Sequence, residues 1–240
     1  MMEAKTNPQR RRPKCYETIY FDLDGTLTDS GPGIMNAVAY ALGAMGRPVP
    51  SRASMRRFIG PPLSYSFQAY EGMSPEDAHR AVELYRVYYN DRGKFENTPY
   101  PGIAGLLDRL QGAGYRLFVA TSKPQVTAQE VLEHFQLARY FERVCGASLD
   151  AGRETKEDVI SYLLAQIGDP GQVVMVGDTA FDVLGAKVHG IPTIGVTWGY
   201  GQVEAMREAG AAALADTPEQ LEALLQTPGV FSPAPPQALP

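Results

Sequence analysis

Apolar and polar positions follow two different rhythms along this chain. From residue 101 onward, short apolar runs bounded by turn residues alternate with segments whose apolar positions recur every three or four residues. The pattern predicts helices over "GIAGLLDRLQGAG" (102–114), "QVTAQEVLEHFQL" (125–137), "KEDVISYLLAQIG" (156–168) and "AFDVLGAKVHG" (180–190). Strands are predicted over "YRLFVATS" (115–122), "RVCGAS" (143–148), "QVVMVGD" (172–178) and "IPTIGVT" (191–197), with "ETIYFD" (17–22) as an opening strand. Apolar strands separated by amphipathic helices imply βαβ units and a parallel sheet covered on both faces. The expected fold class is therefore α/β, a doubly wound parallel sheet.

Residues 31–98 read differently. "GIMNAVAYALGAMG", "SRASMRRFIG", "LSYSFQAYEG" and "SPEDAHRAVELYRVYYNDRG" all favour helix, and no strand pattern separates them. Ser74, followed by Pro75 and then Glu76 and Asp77 in a first turn, predicts a helix start. The expected organisation is an α/β core over 16–30 and 99–226, interrupted by an all-helical insertion over 31–98. The ends, 1–15 and 227–240, are polar or proline-rich and are expected to be disordered.

Composition narrows the function. With 44% apolar and 20% charged residues, the chain has the profile of a globular protein with a real core. A net charge of -5 argues against a nucleic-acid polymer as partner, and "RRR" at 10–12 lies within the polar N-terminal arm. No apolar run is long enough to span a bilayer, and no apolar stretch follows the N-terminal charges as in a secretory leader. No membrane partner and a cytoplasmic location are expected. Cys15 and Cys145 are too few for a disulfide framework and suit small core positions.

The chemistry gathers where strands end. In an open parallel sheet, ligands bind beyond the carboxyl ends of the strands. Asp22 and Asp24 follow the first predicted strand; Thr121, Ser122 and Lys123 close the second; Asp178 and Asp182 follow the fourth; Lys156 opens the helix before it. Four acids with lysines and hydroxyls suit phosphoryl transfer, because a carboxylate can attack phosphorus once its repulsion with a phosphate is cancelled. Mg2+ takes oxygen ligands and binds through one or two carboxylates plus the substrate phosphate. Asp22 and Asp178 can supply carboxylates and Asp24 a backbone carbonyl, which leaves the Asp24 side chain for acid and base work. Thr121 can donate to phosphate oxygens, Lys156 can neutralise charge, and Gly25 lets the chain turn closely. A calcium loop of the EF-hand kind is excluded, since its sixth position requires glycine and its twelfth glutamate; here glycine is fourth and Gly33 stands twelfth.

"DLDGT" (22–26), "TSK" (121–123), a lone lysine and "GDTAFD" (177–182), in this order, resemble the haloacid dehalogenase-like hydrolase superfamily over roughly residues 17–215. The resemblance implies a phosphatase working through an aspartyl-phosphate, with Asp22 as nucleophile, Asp24 as general acid and base, and Thr121 and Lys156 binding phosphate beside Ser122 and Gly25. It also implies Mg2+ held around Asp22, Asp24 and Asp178 with Asp182 in support, and 31–98 as a mobile helical cap. An acid at 24 speaks against the dehalogenase branch. "LTDSGPGI" and "FIGPPL" look like the phosphoglycolate phosphatase and 5'-nucleotidase branch. The expected partner is a small-molecule phosphate ester, and the expected state a monomer or homodimer. A phosphomutase, or a phosphate-binding regulatory protein without turnover, remains the alternative reading.

Other chemically suggestive residues carry less. The resemblance gives Lys123 no role. His79, His134 and His189 sit on separate predicted helices, which argues against zinc. "WGYG" at 198–201 reads as a structural loop, with contact to the helical insertion or to substrate as the alternative.

Overall fold

A computed structural model describes residues 16–150 and 152–227. The expectations for the N-terminal arm, for Cys15 and for the tail from 228 lie outside the described residues. Eight strands and ten α-helices, numbered in chain order, lie among the described residues, with three short 3-10 turns besides. The strands are β1 (Thr18–Phe21), β2 (Thr28–Asp29), β3 (Thr98–Pro99), β4 (Arg116–Pro124), β5 (Arg143–Ala147), β6 (Val173–Gly177), β7 (Thr193–Val196) and β8 (Ala213–Ala215). The helices are α1 (Gly31–Ala44), α2 (Arg52–Met55), α3 (Leu63–Glu71), α4 (Pro75–Asp91), α5 (Ile103–Gly112), α6 (Gln125–His134), α7 (Lys156–Ile167), α8 (Ala180–Val188), α9 (Val203–Ala209) and α10 (Pro218–Gln226).

Six strands form one sheet in the order β5-β4-β1-β6-β7-β8, and every adjacent pair is parallel. Strand alternation sends Ile19, Phe21, Leu117, Val119, Val174 and Val176 to one face, where α5, α6 and α10 cover them. Tyr20, Phe118, Ala120 and Met175 point the other way, onto α7 and α8. Both faces are dry, which is why these strands read as continuous apolar runs. The doubly wound α/β expectation is met. The chain moves outward from β1 through β4 to β5, then crosses to β6 on the other side. The ends of β1, β4 and β6 therefore flank the point where strand order reverses, the usual place for a ligand in such sheets.

Helices α1 to α4 form a helical module with its own apolar cluster, including Val38, Leu42, Phe58, Phe67, Ala81 and Tyr85. Ser74 caps α4 by accepting a hydrogen bond from the Asp77 N–H at 3.1 Å, with Pro75 at the first position. The stretch 51–60 is not the single helix its pattern predicts: one α-helical turn at α2 passes into a 3-10 turn over Arg56–Phe58. An antiparallel ribbon of β2 and β3, Thr28 opposite Pro99 and Asp29 opposite Thr98, carries the chain out to the module and back. Two residues per strand are too few for any periodicity to reveal. Beyond 197, α9, β8 and α10 complete the core. Thr217, which caps α10 by accepting from the Gln220 N–H with Pro218 next, was a readable signal for the last of them. No helix among the described residues is long and apolar enough to cross a membrane.

Candidate active site

The first acid pair sits on a tight loop. After β1, the Asp22 N–H donates to the Val176 carbonyl at 2.9 Å, which extends the sheet by one bond. The chain then folds back on itself, with the Leu27 and Thr28 N–H groups donating to the Leu23 carbonyl and the Gly25 N–H donating to Thr28. Gly25 adopts φ +82°, and a methyl group there would overlap the Asp178 carboxylate. Gly199 approaches the same carboxylate as closely from the loop after β7. Gly25→Ala is therefore expected to cost about 1–3 kcal/mol from the backbone conformation alone, with a further loss from the displaced carboxylate. Urea unfolding of the variant beside the parent checks it, and an unchanged midpoint would contradict the close approach.

Asp22, Asp178 and Asp182 converge, each offering an oxygen within 4.8 Å of the others, and all three are buried. Lys156, 4% exposed, reaches Asp22 at 2.6 Å, Asp182 at 2.8 Å and the Ala120 carbonyl at 2.8 Å. The Thr155 hydroxyl caps α7 in a reciprocal box with Asp158, so Lys156 stands at the first helical position facing the site. A lysine there opposes the helix dipole; the two carboxylates account for it. Burial pulls its pKa down, but Asp182 and Asp22 outweigh that, and the ammonium is held firmly charged. Asp182 uses its other oxygen to accept from the Thr179 N–H and hydroxyl, capping α8. Asp178 accepts from the Thr26 hydroxyl at 3.3 Å and from the Tyr200 and Gly201 N–H groups at 2.8 and 3.4 Å.

One ammonium among three buried carboxylates leaves an excess of negative charge. Burial, with repulsion from Asp182, pushes the Asp22 carboxyl up to about 6 against the pull of Lys156. Burial and the charges of Asp182 and Asp22 push Asp178 well upward too. Such a site is stable when ionised only with a further cation. An all-oxygen donor set with an uncompensated carboxylate, packed against two glycines that make room for Asp178, fits a hard divalent ion such as Mg2+.

The pH dependence follows. Asp22 holds its proton more tightly folded than unfolded, so the neutral carboxyl's contribution to stability is full below the ordinary value of 3.8 and is lost as pH rises through about 6. Without divalent ions, the melting midpoint is expected to carry a downward component over that window. Mg2+ should raise the midpoint more at pH 7.5 than at pH 5, and an equal rise at both pH values would contradict the assignment.

Asp24 stands apart from these three. Lys123 Nζ bonds both of its carboxylate oxygens, at 2.8 and 2.6 Å. Thr121 is buried, and its hydroxyl accepts from the Lys123 N–H at 3.3 Å. Ser122 and Lys123 line a cavity of about 330 Å³ between the sheet ends and the helical module. Asp24 also lines it, whereas Asp22, Asp178 and Lys156 are not among its lining residues. Lys123 is thus a site residue that sequence reasoning set aside; its only sequence signal was its place directly after Thr121 and Ser122. The "WGYG" loop is structural and also touches the helical module: Tyr200 holds Asp178 through its N–H, while its hydroxyl bonds Asp29 and its ring lies under the Arg56 guanidinium, 4.7 Å away. The three histidines are not brought together, and Cys145 is a buried core thiol.

The haloacid dehalogenase-like hydrolase family profile matches residues 19–196. Tyrosine-protein kinase PtkA of Mycobacterium tuberculosis is 44% identical over 189 residues, 78% of this chain and 64% of that protein, so this chain spans less than two thirds of that relative's length. A 5'-nucleotidase of Pseudomonas aeruginosa is 42% identical over 193 residues, 80% of this chain and 87% of that protein. Among solved structures, a predicted phosphatase from Clostridium acetobutylicum superposes with TM-score 0.85 at 42% identity, covering 88% of this chain and 98% of that one. The chain belongs to the haloacid dehalogenase-like hydrolase family.

Proposed function

We propose that the protein is a Mg2+-dependent phosphomonoester hydrolase that works through an aspartyl-phosphate on Asp22, with a nucleoside 5'-monophosphate as the favoured class of substrate. The observation that carries the reading is the convergence of Asp22, Asp178 and Lys156, with the separately held Asp24 at the cavity wall.

Asp22, Asp178 and the Asp24 backbone carbonyl would hold the ion, which supplies charge neutralisation for a phosphate dianion facing carboxylates. Lys156, Thr121 and Ser122 bind the phosphoryl oxygens. An Asp22 oxygen attacks phosphorus; the bond to the ester oxygen breaks as Asp24 gives that oxygen its proton. Asp24, now a carboxylate, takes a proton from water as the water oxygen attacks the phosphoryl group on Asp22. Phosphate leaves, Asp22 is restored and Asp24 is protonated again. Asp182 keeps Lys156 in place and caps α8. The helical module acts as a cap over the leaving group, excluding water from the phosphorylation step.

The cavity supports the nucleotide over phosphoglycolate. Its volume, about 330 Å³, reaches the range of roughly 300 Å³ and above found for sites that take drug-sized ligands. A two-carbon glycolate would leave most of it unfilled. Phe58, Tyr85 and Tyr89 in its wall suit a planar base. The Tyr89 hydroxyl is buried without a hydrogen-bond partner among the described residues, a donor available to the leaving group. The decisive experiment is phosphate release from a panel of esters, ranked by kcat/KM, with Mg2+ and after metal stripping in EDTA. Nucleoside 5'-monophosphates should outrank phosphoglycolate, and chelation should suppress all turnover. Full activity in EDTA would overturn the mechanism; preference for phosphoglycolate would overturn the substrate class.

A further inference from the structure

Lys123 is the second buried lysine of the site, and the reaction written above does not use it. Its side chain is 4% exposed. A buried ammonium costs several kcal/mol even when paired, and an apolar residue is commonly as stable in such a place. Stability alone therefore gives no reason for a lysine here. Its geometry does. The β4–β5 register shifts between Thr121 and Pro124, and within that irregularity the Thr121 hydroxyl accepts from the Lys123 N–H. The side chain is thereby turned inward to Asp24, where Nζ bonds both oxygens rather than one. The helical module covers the ammonium from the other side: Nζ lies 4.9 Å from the centroid of the Tyr89 ring, and Tyr85 stacks on Tyr89 at 5.1 Å and 18°. A cation over an aromatic face is attracted to it, the more so when desolvated.

We propose that Lys123 is a positioning residue for Asp24: bonded to both carboxylate oxygens and covered by Tyr89 of the helical module, it fixes the carboxylate plane for proton transfer at the leaving group. Two oxygens on one ammonium stop the carboxylate turning about its Cβ–Cγ bond, and a proton donor misplaced by an ångström loses much of its effect. The contact with Tyr89 ties that orientation to the seating of the module on the core. This inference rests on the proposed role of Asp24 in phosphomonoester hydrolysis, and its test separates the two.

The test is the Lys123→Met variant, assayed in Mg2+ with a nucleoside 5'-monophosphate and with 2,4-dinitrophenyl phosphate. The ratio kcat/KM reads the steps up to phosphorylation of Asp22, where an alkyl leaving group needs a proton and a dinitrophenolate does not. The nucleotide value should fall by about 10²-fold or more, the scale of general acid help, and the aryl value by under about tenfold. With the nucleotide, Asp24→Asn/Lys123→Met should lose no more than Asp24→Asn alone, since a residue acting through Asp24 has nothing left to position. Equal losses on both esters, or losses that multiply in the double variant, would overturn the proposal while leaving the hydrolase reading intact. Absence of wild-type turnover on either ester would overturn that reading itself. Should Lys123→Met fail to fold, Lys123→Gln, which can bond only one carboxylate oxygen at a time through its amide, must show the same split between esters or the proposal fails.

Discussion

Asp22→Asn should abolish turnover while leaving the protein folded and able to bind substrate. Loss of the nucleophile in a hydrolase that works through a covalent intermediate is worth on the order of 10⁶-fold in kcat, so activity should fall by about that factor. The same change should raise the melting midpoint of the metal-free protein at pH 7.5. Burial makes the ionised Asp22 unfavourable, and its pKa stands at about 6 rather than 3.8; a neutral amide of the same shape relieves that cost and the repulsion with Asp178. The downward pH component of stability between pH 4 and 7 should weaken with it, because Asp22 no longer titrates. Activity and metal-free stability thus move in opposite directions from one atom's change, as expected where a site stores unfavourable charge for function. Steady-state assays and melting curves with and without Mg2+ check both. A variant that kept substantial turnover would remove Asp22 from the role of nucleophile.

The sheet was legible because each of its longer strands is apolar on both faces and bounded by turns. β1, β4 and β6 are buried throughout or nearly so, and a run such as "QVVMVG" has few other homes. The residues that the structure brings together were legible for the same reason. Parallel topology places the ends of β1, β4 and β6 side by side, so acids just past those ends had to meet. What stayed hidden depends on partners distant in sequence or on very short elements. The bond from Lys123 to Asp24 joins residues 99 apart, and nothing local distinguishes that lysine from a solvated one. Tyr200 could be suspected of touching the helical insertion, but its grip on Asp178 runs through a backbone N–H, which any residue could supply. The β2–β3 ribbon consists of two-residue strands, one holding a proline, and has no pattern to read. The 3-10 turn at Arg56–Phe58 breaks a segment whose composition favours helix, an instance of tertiary packing overriding propensity.

Asp24→Asn should lose turnover for a different reason, and the difference can be seen on the protein. The nucleophile remains, with its bond to Lys156, and the backbone carbonyl at 24 is unchanged. The amide keeps an oxygen for Lys123, although it gives up the charge and one of the two bonds that the ammonium now makes. What disappears is the proton for the leaving group and the base for water. With an alkyl ester the loss should be about 10²–10⁴-fold in the first step, the range typical of general acid and base help. With an aryl ester, whose leaving group is stable as the anion, phosphorylation of Asp22 should proceed far faster than that. Dephosphorylation still needs the proton of the attacking water removed, and the neighbouring acids of the cluster are already engaged, Asp182 by Thr179 and Lys156 and Asp178 by backbone donors. The phosphoenzyme should therefore be made faster than it is consumed. Mass spectrometry of Asp24→Asn, quenched in acid soon after mixing with an aryl phosphate and Mg2+, should show one added phosphoryl group, mapped to the peptide carrying Asp22. Phosphate on any other residue would overturn the assignment of the nucleophile. An unphosphorylated protein that turns the aryl ester over at the wild-type rate would remove Asp24 from the second step.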